Sequence, residues 1–594
     1  MLPLMRSADK IKEHNITAFG GINASYSAKI NEFADSVNMT SENYPALSST
    51  WEADKCGTNL KPACGCGYYN KLYTVCHTDS DSGNIYVCSG DSETEIGSFE
   101  QKDEITKRKM EFLKDEILII PDNVIYHTNT DTVTKGCVTY SVNSVSAQEK
   151  FEAESETDSN APGPYNTWYS AYITGNSIVS MSASYRVSST SYKFYHLGLP
   201  RDFAVGDVVT LKMKVKPIDA SQDSAYRKYV NKMSEGISLK IKDLVLTSHS
   251  TPSGDVDEYT KIVFEDNSVD MGGYKEVFVT DISIEKGIPN FVDICALNNR
   301  MWGVSADEIF ASKLGDSAQW YDFSVDSYGT LPSSSFTTSV ETDGKFTAIC
   351  AYNGNILAFK EDCIHKVYGD EPAEFTLTKT ECAGVEDGCS NTLATVGGVL
   401  YYKGKSGIYA YRGSMPELIS RKLNIENMTA TSAGGDERYY YIELKNESES
   451  YLYIYDTVYG IWHRKLSPAN IIGILNTEEG LRIITKSYQL KKETSGIYLW
   501  NFVFSLGTKE FTSKHISQLL MRYSLNIGGE FTVKLSNKHG VYELAKVDTA
   551  SSNGILKIRI PACCGEDAQL HFDGKGSFTL ASLTIRYRET GIED

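Results

Sequence analysis

The chain has 594 residues, with 58 Lys and Arg against 77 Asp and Glu and a formal net charge of −19. Its 41% hydrophobic and 23% charged residues exclude a disordered chain, and at roughly 100–200 residues per domain there is room for several domains. The acidic excess argues against wrapping nucleic acid, because neutralising phosphate takes a Lys/Arg surplus, and 38 Tyr against 15 Pro favours pleated, half-buried β surfaces.

Residues 1–10 (MLPLMRSADK) hold no sustained apolar core of a secretory signal. The longest apolar runs, such as Ile117-Leu118-Ile119-Ile120, are strand-sized, whereas a spanning helix needs about 20 such residues, so no stable membrane anchor is expected. Thirteen Cys is an odd number, which leaves at least one thiol without a partner in the chain. Cys56, Cys64, Cys66, Cys76 and Cys88 crowd together, but no Cys-x-x-Cys pair of a structural zinc site exists, so buried free thiols are expected. Asp79-Ser80-Asp81-Ser82-Gly83 opens like a calcium loop; the twelfth position is Gly90 and not Glu, so a hairpin turn is the better reading.

A two-strand phrase then recurs along the chain: an apolar or aromatic strand, a polar turn, and an Ile-Tyr or Ile-Phe strand. It runs through Tyr68–Tyr73 with Asn84–Val87, and Ile117–Ile120 with Val124–His127. It resumes at Arg300–Val304 with Glu308–Ala311, Asn355–Phe359 with Cys363–Gly369, and Gly398–Tyr402 with Gly407–Gly413. The last copies are Tyr439–Ile442 with Tyr451–Asp456 and Leu481–Ile484 with Gly496–Trp500. The markers Ile309, Ile364, Ile408, Ile454 and Ile497 are 55, 44, 46 and 43 residues apart. A period of about 40–50 residues carrying short strands predicts propeller blades, about seven of them, over 1–136 and 291–505. Between the two parts the period breaks. Strand signals at Ser177–Met181, Asp207–Val215, Ile237–Ile241 and Val277–Ile284 predict an inserted all-β domain over 137–290, with one short helix near Ala225–Val230. After Phe502 strand signals from Leu519 to Tyr587, separated by turns such as Ile527-Gly528-Gly529, predict a C-terminal β-sandwich over 506–594.

Chemistry-bearing motifs are scarce. None of the ten His stands in H-E-x-x-H, and His463 beside Trp462 reads as a blade residue. No G-x-S-x-G elbow is present, and Gly404-Lys405-Ser406 leads into a strand where a phosphate loop would feed a helix. Catalytic, cofactor and metal residues are therefore expected to be none. Trp168 and Tyr169 in the insertion are candidates for stacking on a sugar, with core packing the equally ordinary reading.

Several phrases resemble the β-propeller virion proteins of tailed bacteriophages, the head-to-tail stabilising proteins and tail nozzles. They are Phe19–Asn23, Asn38–Ser41, Tyr44–Ser48, Met301–Gly303, Ala311–Asp316, Trp320–Phe323, and the stretch from Asn355 through Cys382–Gly384 and Gly407–Tyr411 to Pro416–Ser420. The insertion lies outside this likeness and faintly resembles a jelly-roll carbohydrate-binding module through Val279–Ile284. The resemblance implies a virion structural protein and not an enzyme: made in the host bacterial cytoplasm, placed in the tail, forming a ring of six copies below the portal and adaptor. DNA would pass through the lumen without specific binding, and an acidic lumen would repel phosphate during ejection. The alternative is a carbohydrate- or receptor-binding tail protein that acts through the insertion.

Overall fold

The structure is a computed structural model that describes residues 11–25, 28–50, 53–56, 63–77, 82–89, 92–100, 108–142, 149–152, 167–174, 177–186, 194–195, 203–217, 235–250, 256–265, 276–323, 332–447, 449–467, 470–486, 489–492, 499–506, 514–548, 553–560 and 568–589. The expected short helix near residue 225 and most of the Asp79–Gly83 turn lie outside them. So do the side chains of Trp168 and Tyr169, whose strand, Thr167–Thr174, is described as backbone. The chain forms two compact units, one of residues 1–110, 342–367 and 377–594, the other of 111–341 and 368–376.

The fold is all-β, and its repeating unit is the propeller blade. Seven four-stranded sheets occur among the described residues: 63–100, 109–135, 293–339, 348–381, 394–418, 429–466, and 471–492 completed by Ala53–Cys56. They are named here the first to the seventh blade. Local chemistry makes the hairpins. Asn298 and Asn299 (φ 50° and 59°) and Asn353 with Gly354 (φ 47° and 71°) hold the left-handed conformation of two-residue turns whose twist matches the strands they join. The strands read as continuous apolar runs because both faces are covered. In Tyr439–Lys445 of the sixth blade, Tyr440, Ile442 and Leu444 join a core shared with the fourth and fifth blades. Tyr441 points the other way, into a core with Ile471, Ile474 and Ile483 of the seventh. Ile484 of the seventh blade in turn packs with Ala63, Leu72 and Cys76 of the first. In the second unit Leu118 and Ile125 of the second blade share a core with Phe291, Met301, Phe310 and Trp320, around the third.

The N-terminal boundary is corrected by the structure. Residues 1–136 were expected to open the propeller, but Lys12–Ile16, Met39–Thr40 and Leu47–Ser49 join the sheet of Lys514–Leu525, Asn553–Arg559 and Phe578–Glu589. Asp35–Val37 pairs with Leu499–Ser505 in the facing sheet. These strands are two to five residues long, and the partners of Lys12–Ile16, Asp35–Val37 and Leu47–Ser49 lie more than 450 residues away, so neither length nor periodicity announces them. The strand Leu499–Ser505, whose Leu499 and Trp500 the repeat assigned to a last blade, also belongs to this sandwich, which therefore begins before residue 506. The seventh blade takes Ala53–Cys56 in its place, antiparallel to Gln489–Lys492. The sandwich core holds a run of stacked aromatics among its aliphatic residues, with Phe502 stacked on Phe572 at 4.5 Å between centroids and Trp500 on Phe578 at 4.2 Å.

Between the second and third blades, Cys137–Val142 and Glu276–Gly287 run side by side, Cys137 opposite Gly287, and form the base of the nine-stranded inserted sheet. Its strand Ile237–Ser250 pairs first with Val208–Pro217 and, past a register shift at Ile241, with Val256–Phe264.

Candidate functional site

The buried titratable groups include one contact between a thiol and an imidazole. Cys363 Sγ lies 3.6 Å from His365 Nε2, on one strand of the fourth blade, with Thr342 Oγ1 3.0 Å from the same nitrogen. Sequence reasoning missed this pair, whose only signal is the Cys-x-His spacing. It is shaped like a nucleophile and base, but both residues are buried. Burial lowers the imidazole to about 4, helped by Lys360 and Lys379, and burial also raises the thiol. Both groups are neutral at neutral pH, and no activated thiolate results.

The cysteine crowd behaves the same way. The thiols of Cys64, Cys66, Cys76 and Cys88 all belong to the first blade. Burial raises Cys66 to about 12 and Cys88 to about 11. Among the described residues no group of three or more His, Cys, Asp or Glu is arranged to hold a metal ion. Gly404-Lys405-Ser406 is the hairpin between Val399–Gly404 and Gly407–Tyr411, with Lys405 Nζ 2.9 Å from Glu361.

Other buried charges act as struts. Arg300 donates to the carbonyls of Ser312, Pro332 and Ser334. Lys403 pairs with Glu386 at 2.5 Å, and the fully buried Glu443 accepts from Thr431, Ser450, Ser467 and the Ile471 amide.

Among the described residues of the first unit, two of the clefts have room for small molecules. One, of about 380 Å³, is floored by Val37, Trp500 and Phe531, with Leu466 and Leu499 exposed at its rim. Two ion pairs stand at it, Glu530 with Lys575 at 3.0 Å and Asp573 with Lys534 at 3.2 Å, and the Trp500 indole donates to Gly576 O. The other, of about 350 Å³, is polar and lined by Asn424, Asn427, Glu449, Tyr451 and Arg464 among others. Arg464 is held by Asp35 at 2.6 Å and lies 4.2 Å over the Tyr451 ring. Neither cleft presents a nucleophile beside a base.

The N-terminal phrases of the resemblance converge on one place, the joint of the sixth blade with the sandwich. Phe19 packs with Phe33 and Phe504 in the sandwich, while Ile22, three residues on, is buried in the core of blades four to six. Between them the backbone runs against Trp462. Ile22 N donates to Trp462 O at 2.8 Å, and a Cβ on Gly21 would stand 2.4 Å from that oxygen, so only glycine fits. Asn23 donates to Glu32 at 2.7 Å, and Lys422 pairs with the other Glu32 oxygen at 2.7 Å. Burial pushes the Glu32 carboxyl up, and its bonds from the Lys29 amide, Lys422 and Asn23 overcome this to leave it below its ordinary value. Asn38, at φ 59°, donates from its side chain to Leu499 O and accepts the Leu466 amide. Ser41 Oγ donates to the buried Asp456 at 2.5 Å, and Arg438 bridges Asp456 Oδ2 at 2.6 Å and Ser41 O at 3.0 Å. Tyr44 stacks on Tyr459 at 3.9 Å. This joint has the geometry of a brace, and the cleft beside it, bordered by Asn38, Leu466 and Leu499, presents no nucleophile beside a base.

No family model and no curated protein matches the chain. Among solved structures it is similar to the extracellular domain of a hybrid two-component system from B. thetaiotaomicron, at 10% identity, 93% of this chain and 96% of that one, TM-score 0.21. It is similar to an exo-β-1,3-galactanase from Phanerochaete chrysosporium at 7% identity, 91% and 100% coverage and TM-score 0.20. Hsv2 from Kluyveromyces lactis matches at 9% identity over 69% of this chain and 98% of that one, TM-score 0.25. TM-scores this low carry no argument about activity.

Proposed function

We propose that this chain is a structural protein of a bacteriophage tail, a nozzle or head-to-tail stabiliser, that assembles with copies of itself into a ring of six around the DNA channel and performs no turnover. The observation that supports this reading is where the shared phrases sit: Phe19–Asn23, Asn38–Ser41 and Tyr44–Ser48 brace the sixth blade against the sandwich. A brace of this kind suits a part that must transmit load, and the one thiol–imidazole contact described, Cys363 with His365, is buried in neutral form. A ring takes heterologous contacts, two different patches meeting on neighbours, and its partners in sequence would be the portal, the adaptor and further tail proteins.

The test is electron microscopy of phage particles assembled with and without this gene product, together with mass photometry of the purified chain. Sixfold density in the tail and a closed oligomer support the proposal. A monomer at every concentration that is absent from particles, or one that hydrolyses glycans, overturns it.

A further inference from the structure

We propose that Lys286 locks the inserted domain onto the third blade, so that the insertion is carried as a fixed arm. Lys286 lies in the strand by which the chain leaves the insertion, opposite Val138 on one side and Val209 on the other. Its side chain is only 7% exposed, an unusual place for an ammonium group, and three elements enclose it. Asp207 Oδ2 accepts its proton at 2.5 Å. The same carboxylate oxygen accepts the Ala204 amide at 2.6 Å, and this fixes the turn before the strand Val208–Pro217. Tyr321, from the loop after the third strand of the blade, lies with its ring centroid 3.5 Å from the ammonium nitrogen, and Phe203 stands 6.0 Å away on the insertion.

Tyr321 is itself held. Its hydroxyl donates to Gly287 O at 3.1 Å, its amide donates to Gln319 Oε1, and its neighbour Trp320 is fully buried in the blade core with its indole nitrogen on Ser317 O. One residue beyond that carbonyl, Ile288 enters the same blade core and donates its amide to Gly136 O. The insertion thus meets the blade through two crossing strands and through a desolvated cation held between a carboxylate of the insertion and a ring of the blade. Two strands alone leave a soft twist about the base; the cation and ring resist it, because the attraction falls off as the ammonium slides from the ring face. The lock rests on this geometry alone and holds whether or not the tail reading does.

The test is a distance measurement by electron spin resonance on the full chain, with spin labels carried by noncanonical residues at the exposed positions Lys242 and Leu314. The native chain is expected to give a single narrow distance. Lys286→Met, which keeps the length and removes the charge, is expected to lose that narrow distance, and Lys286→Arg to retain it. Should Lys286→Met fail to fold, Tyr321→Leu removes the ring together with its hydroxyl bond to Gly287 O and is read in the same way. A broad distribution in the native chain, or a narrow one in Lys286→Met or Tyr321→Leu, overturns the proposal.

Discussion

At the scale of single residues, two buried ionisable groups of the sixth blade take opposite states, one neutral and one charged and paired, and each state has a measurable consequence. His463 is 1% exposed, and neither ring nitrogen has a hydrogen-bond partner. Burial lowers its pKa to about 4, with Arg438 adding to the effect and Asp456 opposing it. The unfolded chain therefore takes up a proton below about pH 6.5 that the folded chain refuses until pH 4. Stability present above pH 6.5 is lost as the pH falls toward 4, by about 2 kcal/mol from His463 between pH 7 and pH 5. His463→Leu is expected to be near neutral at pH 7 and to flatten this slope in urea melts; a variant that is as acid-sensitive as the native chain would sink the assignment. The neighbouring Asp456 tells the opposite story. Burial works to raise it, and the bonds from Arg438 and Ser41 prevail and hold it below its ordinary value. Arg438→Met leaves a buried carboxylate unpaired and is expected to cost about 3 kcal/mol, whereas removing the exposed Arg412–Glu417 pair, 3.1 Å apart, is expected to change thermal unfolding little.

At the scale of elements, blades touch through backbone. A Cβ on Gly434 of the sixth blade would stand 2.0 Å from Ile474 O of the seventh. Carbonyl oxygens in a hydrogen-bonded strand yield little, so Gly434→Ala is expected to cost about 1–3 kcal/mol in denaturant melts. Gly344 is the control, since its Cβ meets nothing within 4 Å, though its φ of 79° adds strain of its own. The seventh blade depends on a strand from the other end of the chain. Deleting residues 1–56 removes Ala53–Cys56 from that blade and four short strands from the sandwich. The truncated chain is expected to lose its cooperative thermal transition and bind hydrophobic dye, because an edge strand and an aromatic core are left uncovered. A truncated chain that melts as sharply as the full one would contradict this pairing.

At the scale of the whole molecule, the surplus of carboxylates sets the relation to DNA. A chain of net charge −19 gains nothing from counterion release, so filter binding to duplex DNA at low salt is expected to show no retention, with any Kd weaker than about 10⁻⁴ M. Tight, salt-sensitive binding would point to a basic patch acting as a grip and would count against a lumen that lets DNA pass. The same measurement on the Lys286→Met variant should be unchanged, since that ammonium is enclosed within one unit.

The sequence by itself determined the blades. Apolar runs such as Val399–Tyr402 and Tyr451–Ile454, repeated at a near-constant interval, can be satisfied only by sheets covered on both faces, and that pattern is local and periodic. The scarcity of catalytic motifs was legible for the same reason, since those motifs are short. Only the tertiary structure decided what closes the seventh blade, where the sandwich begins, and that Phe19–Ser41 braces one to the other. Those pairings join Lys55 to Leu490 and Ser36 to Phe502, and strands of two to five residues carry no periodicity that could name partners so distant. The cage around Lys286 was hidden likewise, and the Cys-x-His spacing of Cys363 and His365 did not tell that both are buried, because burial and the approach of a ring are settled by packing.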